Sequence, residues 1–314
     1  MELRKPIKVL LEEYLSELSG ELSTIDQYRK TILLFILWIS KREDFKASEP
    51  TRASFCFFYQ ELKNKGLSVR TIDNYTTAIR MFFKWLIENE YYDKNITEGT
   101  KALRKSYDFI KAPLPEDKAM MLLQSFKDES AIELRDFAIV NTMLRLGLRR
   151  IEITRLNYED FTRAGSQWYI RIQGKGHSEK DAELPITTRI LKPIQQYWKH
   201  RPDMGPGIPA FISHANCSSK RITPHFVSVM VKARFRAIGL DDKLFSSHSL
   251  RHSAAYYATK AGSSSFEVQQ MMRHKDGRAT EQYKKAFNQE RIKDGTSIFY
   301  LDNYLKKCQE RCGK

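Results

Sequence analysis

The chain has 314 residues, about twice a common domain length, so one large or two ordinary domains are expected. Hydrophobic residues at 41% and charged residues at 29% exclude a mostly disordered chain, and no apolar run approaches the ~18 residues of a spanning helix, which excludes a helical membrane protein. The formal net charge is +15: residues 1–110 carry 18 Lys and Arg against 16 Asp and Glu, and the remainder carries 35 against 22. The positive field therefore lies in the second half. It favours a polyanionic partner, because each phosphate neutralised by Lys or Arg releases condensed counterions.

The opening residues, Met1 to Pro6, show neither an apolar core nor a small-residue cleavage site, so a cytoplasmic, unprocessed protein is expected. Cys56, Cys217, Cys308 and Cys312 are scattered and read as reduced thiols. The Cys308/Cys312 pair has no second ligand pair nearby, so no metal site is expected.

Apolar residues at helical spacing predict helices over Pro6–Ser19, Ser23–Lys41, Thr51–Lys65 and Ser68–Glu90, a small bundle. Two of them share a pattern: Thr24-Ile-Asp-Gln-Tyr28 with Ile32, Phe35 and Trp38 matches Thr71-Ile-Asp-Asn-Tyr75 with Ile79, Phe82 and Trp85. Two helical hairpins with equivalent second helices follow from it. A shorter helix is expected over Ile96–Lys105, and Pro113 and Pro115 then break the periodicity. This divides the chain into a first domain over 1–107, a linker over 108–118 and a second domain over 119–314.

In the second domain, helices are expected at Glu116–Lys127 and Leu134–Leu146. Gln167–Gln173 alternates like a strand, Gly174-Lys-Gly176 turns, and Ala182–Ile186 returns, a β-hairpin with Lys175 near its tip. Helical pattern continues to His200 and resumes over Pro224–Ile238, Ser249–Ala261, Ser265–Met272 and, in the tail, Ser297–Gln309. The fold class is mainly α with a small antiparallel β-sheet.

Cations, histidines and one tyrosine at helix or turn edges form the informative set. Arg149 follows the helix-ending Gly147, with Glu152 three residues on and so on the same face. His248 and Arg251 stand at i and i+3 in His248-Ser-Leu-Arg-His252, His274 closes Met271-Met-Arg-His274, and Tyr283 follows nine positions later. These boxes, in this order, resemble the tyrosine recombinase or phage integrase family. The resemblance rests on Gly147-Leu-Arg-Arg-Ile-Glu-Ile153 with Leu156-Asn-Tyr-Glu-Asp160, Gly174-Lys-Gly176, His248–His252, Met272-Arg-His274 and Tyr283, and in the first half on Leu67-Ser-Val-Arg-Thr-Ile72 with Phe82-Phe-Lys-Trp85.

The resemblance implies a helical core-binding bundle followed by an α+β catalytic domain, which together grip double-stranded DNA at a specific recombination site. It implies strand exchange for integration, excision or dimer resolution, without a metal or other cofactor. Tyr283 would attack a phosphodiester and form a 3′-phosphotyrosyl link whose bond energy lets a 5′-hydroxyl reverse the step. Arg149 and Arg251 would bind the non-bridging oxygens, His248 would act as general base, Lys175 as general acid, and His274 would hydrogen-bond the phosphate. Glu152 would orient an arginine or a helix without touching substrate. Candidate DNA contacts in the first domain are Arg29, Arg70, Thr71, Asn74 and Arg80. The tail helix would pass to a neighbouring subunit and build a tetramer on two DNA sites, with an accessory protein setting direction.

Other readings stay open at this point. A type IB topoisomerase-like enzyme would use the same residue types, and a silent DNA-binding protein would keep the fold while having no use for Tyr283. Arg150 competes with Arg149. His252 is assigned to packing or capping, and Tyr256, Tyr257, Tyr300 and Tyr304 to packing. Family members usually carry Leu-Gly-His where this chain has Met272-Arg273-His274, so either Arg273 adds a phosphate contact or the local turn differs.

Overall fold

The computed structural model describes residues 2–19, 21–99, 112–127, 129–214, 221–293 and 295–312. The chain divides into two compact units, 1–107 and 108–314.

The first unit holds α1 (Ile7–Glu17), α2 (Leu22–Ser40), α3 (Arg52–Asn64) and α4 (Val69–Glu88). Side-chain caps start two of them: Thr51 and Ser54 form a reciprocal capping box on α3, and the Ser68 hydroxyl accepts the Thr71 N–H at 3.1 Å on α4. The repeated pattern has a packing reason. Ile32 and Phe35 of α2 and Ile79 and Phe82 of α4 are all fully buried where the two helices meet, each worth about 2 kcal/mol of apolar burial. Both tryptophans donate the indole N–H to a glutamate on another helix, Trp38 to Glu61 of α3 and Trp85 to Glu17 of α1 at 2.7 Å. Residues 96–99 form a turn, and the rest of the helix expected over Ile96–Lys105 lies outside the described residues.

The second unit runs α5 (Glu116–Gln124), α6 (Ala131–Leu146), α7 (Arg150–Thr154), a 3-10 turn (Tyr158–Asp160), β1 (Phe161–Ala164), β2 (Gln167–Ile172), β3 (Ala182–Ile186), α8 (Thr188–Trp198), α9 (Pro224–Ala237), α10 (Ser247–Lys260), α11 (Ser265–Met272), α12 (Arg278–Lys293) and α13 (Thr296–Cys312). Helix α6 is central and packs against α8 and α10. The sheet order is β1-β2-β3, antiparallel throughout, and Phe161, Ile170, Ile172 and Ile186 turn one face into the core.

Three expectations change. The sheet has three strands, because Phe161–Ala164 pairs with Gln167–Ile172 across a turn containing Gly165 at φ +60; four residues are too few to display alternation. The expected linker over 108–118 overlaps the second unit: 108–111 lie outside the described residues, and Glu116–Lys118 already form the first turn of α5. Leu114 is buried in the same core, its N–H bonded to Ser253 Oγ at 2.7 Å and its carbonyl to the Tyr257 hydroxyl at 2.6 Å. Finally, α10 starts at Ser247 under a Ser246 cap, which puts His248 in its first turn.

Gly147 ends α6 at φ +61, donating its N–H to Met143 O at 3.0 Å, and a Cβ there would stand 2.5 Å from Met272 Sδ. Gly147→Ala therefore suffers both left-handed strain and overpacking. A loss of about 2 kcal/mol is expected in urea unfolding; a variant as stable as the parent contradicts this close approach.

Candidate active site

Glu152 is fully buried, and a carboxylate in that position needs partners. They come from three separate elements. Arg149 at the start of α7 donates its backbone N–H to Glu152 Oε2 at 2.7 Å and its Nη1 to Oε1 at 2.5 Å. Arg273, just after α11, donates Nη2 to Oε2 at 2.7 Å, and Arg251 of α10 holds Nη1 3.9 Å away. Burial works to raise the Glu152 pKa, but the charge of Arg273, the Arg149 N–H and the charges of Arg251 and Arg149 outweigh it and hold the carboxyl below its ordinary value. Arg251 is itself 6% exposed, with Nη1 on the Gly147 carbonyl and Nη2 on the Met272 carbonyl. Burial first, then Arg149, lowers its pKa.

Arg273 adopts φ +51, ψ +48, the left-handed conformation that glycine takes without cost and other residues at about 1–2 kcal/mol. The local turn is thus of the kind a glycine would make. The conformation turns three consecutive carbonyls toward three guanidiniums: Met271 O accepts from Arg273 Nη1 at 2.6 Å, Met272 O from Arg251, and Arg273 O from Arg149 Nη2 at 3.4 Å.

Tyr283 lies on α12, 1% exposed, packed with Ala255, Val268 and Met272. Its hydroxyl is 2.7 Å from His252 Nδ1, so His252, expected only to pack or cap, holds the tyrosine. Four residues earlier on the same helix, His248 is exposed. Burial pushes the Tyr283 pKa up to about 12, against the pull of Arg251 and Arg149. Burial, with His248 and Arg251, lowers His252 to about 4, so at neutral pH a neutral imidazole faces a protonated phenol. His274 lies parallel to the Tyr283 ring, centroids 6.5 Å apart, with Nδ1 2.9 Å from the buried Thr280 hydroxyl. Burial, then Arg251 and the other arginines, also lowers His274 to about 4.

Lys175 is exposed in the β2–β3 connection. That connection is tied to the end of α7: Arg155 Nη1 donates to the Gly174 carbonyl at 2.8 Å, and Gly174 N–H donates to Asp181 Oδ1 at 2.5 Å. Lys180 pairs with buried Asp160 and donates to Arg155 O at 3.0 Å, which makes it an anchor of the hairpin. Arg150 donates to Ser228 of α9, so it is Arg149 that joins Glu152. Tyr256 packs against the Tyr283 cluster, and Tyr257 bonds to Leu114. Tyr300 and Tyr304, expected to pack, are 65% and 64% exposed.

Of the first-unit candidates, Arg70 and Asn74 are exposed on α4, Arg80 is half-buried, and Arg29 pairs with Glu12. Thr71 belongs to the α4 start, its hydroxyl 2.8 Å from Ser68 Oγ. The described residues contain no group of three or more His, Cys, Asp or Glu placed to hold a metal ion, and no helix long and apolar enough to cross a membrane.

No local signal separates His252 from other helix histidines, although it lies one residue beyond Arg251 and four beyond His248. The two depressed histidines set an acid limit. Between pH ~6.5 and ~4 the unfolded chain binds protons at His252 and His274 that the folded chain refuses, so stability falls as pH drops through that window. Melting temperature measured against pH is expected to decline there, and less steeply in His252→Asn and His274→Asn; an identical decline in both variants would sink this assignment.

Comparison with known proteins agrees with this architecture. Residues 113–290 match the phage integrase family, and residues 11–90 match the phage integrase N-terminal SAM-like domain. Tyrosine recombinase XerA of Pyrococcus furiosus is 26% identical, over 88% of this chain and 90% of its own length, and tyrosine recombinase XerC of Herpetosiphon aurantiacus is 27% identical, over 90% and 92%. Among solved structures, the XerH site-specific recombinase in a post-cleavage complex with palindromic difH substrate has a TM-score of 0.72 at 19% identity, covering 89% of this chain and 80% of that one. The Tn1549 transposon integrase with circular intermediate DNA has a TM-score of 0.68 at 17% identity, covering 88% and 94%. These structures share the fold. With the family match spanning more than half its length, the chain belongs to the phage integrase family, the tyrosine recombinases.

Proposed function

We propose that this chain cuts and rejoins double-stranded DNA at a specific site by transesterification through a 3′-phosphotyrosyl intermediate. The observation that carries this reading is the grouping of Tyr283, His252 and His274 beside Arg149 and Arg251, whose charges act on both the phenol and the imidazole. A phenol is useful here because, once bonded to phosphorus, its oxygen is a good leaving group when a 5′-hydroxyl attacks, so the step runs in both directions.

In the forward step the Tyr283 oxygen bonds to phosphorus and the P–O5′ bond breaks. The phenolic proton passes to an imidazole, and Lys175 protonates the departing 5′ oxygen. With its proton on Nε2, neutral His252 accepts from the hydroxyl at Nδ1; His248, exposed one turn earlier, takes this role once Tyr283 moves out to the DNA. His274, its Nδ1 engaged by Thr280, has Nε2 left for a phosphate oxygen. Arg149 and Arg251 carry the charge that builds on the non-bridging oxygens, where a water-poor site makes each guanidinium count for more. The net charge of +15 supplies the long-range attraction for DNA.

The test begins with duplexes selected by the full chain from a random pool, then nicked to trap cleavage products. With EDTA present, the parent protein is expected to give a covalent protein–DNA band on a denaturing gel, and Tyr283→Phe none. Bound duplex without a band from either protein would favour a silent DNA-binding protein, and a band from Tyr283→Phe would mean a different nucleophile.

The tail supports assembly. Ile298, Leu301 and Leu305 lie on one face of α13 and are 71%, 58% and 50% exposed, a surface that suits a neighbouring subunit. In this reading four subunits exchange tails on two DNA sites. The double variant Leu301→Asp, Leu305→Asp is expected to bind one selected duplex normally while losing the two-duplex complex in sedimentation; unchanged assembly would exclude tail exchange through this face.

A further inference from the structure

Three observations set Arg273 apart. Its backbone is in the left-handed region that glycine favours, so the side chain is kept at an energetic cost to the turn. The side chain is 9% exposed and reaches into the arginine cluster, where Nη2 meets Glu152 and Nε has no hydrogen-bond partner. And the charge count changes: Glu152 meets three guanidiniums, those of Arg149, Arg251 and Arg273, with Asp181 close enough to act on Arg273 as well.

With glycine at this position, the buried carboxylate would draw its compensation from Arg149 and Arg251, the two groups that the recombinase reading needs for the phosphate. We propose that Arg273 is a positioning residue that shares the charge of Glu152, so that less of the Arg149 and Arg251 charge is spent on the carboxylate and more is left toward a phosphodiester. It acts through Glu152 and does not touch the DNA. Three guanidiniums around Glu152 leave a cationic surplus for the negative charge that a phosphodiester gains as the phenolate attacks. The orientation of the arginines is shared work: the carbonyls of Met271, Met272 and Arg273 hold the guanidiniums in place, and the Arg273 side chain sets how much of their charge is spent inside the protein.

This inference rests on the recombinase reading, and the experiment separates the two. Single-turnover adduct formation is measured on the nicked selected duplex with either a natural phosphodiester or a neutral methylphosphonate at the scissile position. Arg273→Gly, which suits the left-handed turn, is expected to slow the phosphodiester reaction by roughly 10- to 100-fold. The same substitution is expected to change the methylphosphonate reaction by less than about 3-fold, because the charge to be stabilised is smaller. Arg273→Lys keeps the charge and is expected to keep most of the rate, which also guards against a glycine variant that folds poorly. A glycine variant as fast as the parent, one slowed equally on both substrates, or a lysine variant as slow as glycine overturns the proposal. If the parent forms no adduct, the recombinase reading fails, and inorganic phosphate decides Arg273 separately. Its half-saturating concentration in a thermal-shift titration is expected to rise several-fold in Arg273→Gly, and an unchanged value overturns the proposal.

Discussion

The burial of one carboxylate organises the second unit. Glu152 has no access to water, and in that setting a negative charge survives only with close, well-directed partners. Those partners are drawn from the start of α7, from α10 and from the end of α11, so the same contact that satisfies the carboxylate brings three distant stretches of chain to one point. The close approach of Gly147 to Met272 serves this arrangement, because it lets the end of α6 and the end of α11 offer carbonyls to the same Arg251 guanidinium. Packing and electrostatics are thus one constraint here.

The tyrosine sits in the same low-dielectric corner, and burial acts on it in two ways. It raises the phenol to about 12 and lowers both histidines to about 4, so the protons rest where no attack can begin. The same exclusion of water strengthens the pull of Arg149 and Arg251 on any anion that enters. In the proposed reading, a phosphodiester would meet a site whose charges are already oriented and whose tyrosine still holds its own proton. This accounts for why a buried, unreactive phenol and a strongly cationic cluster are compatible as neighbours.

The helices were legible because their signals are local. Thr51 and Ser68 announce helix starts through hydrogen bonds to N–H groups three residues on, and the Ile32, Phe35 and Ile79, Phe82 stripes show which face turns inward. Strand β1 was not legible, since Phe161–Ala164 is too short to alternate and is defined by its pairing with β2. Likewise, nothing local shows that Leu114 belongs to the second core; its two hydrogen bonds are to Ser253 and Tyr257, far along the chain. The exposed face of α13 reads as an ordinary apolar stripe until the surface beside it is seen to be uncovered.

By itself, the sequence determined the helical character of both halves, the basic second half and the ordered set Arg149, Lys175, His248, Arg251, His274 and Tyr283, because periodicity, charge and motif spacing are properties of the chain in one dimension. Only the tertiary structure decided that His252 holds the Tyr283 hydroxyl, that Arg149 and not Arg150 meets Glu152, and that Arg273 turns inward to the same carboxylate. Those choices depend on which side chains share a water-poor space after folding. Neighbours in that space are 121 residues apart in the case of Arg273 and Glu152, a separation across which no local pattern carries information.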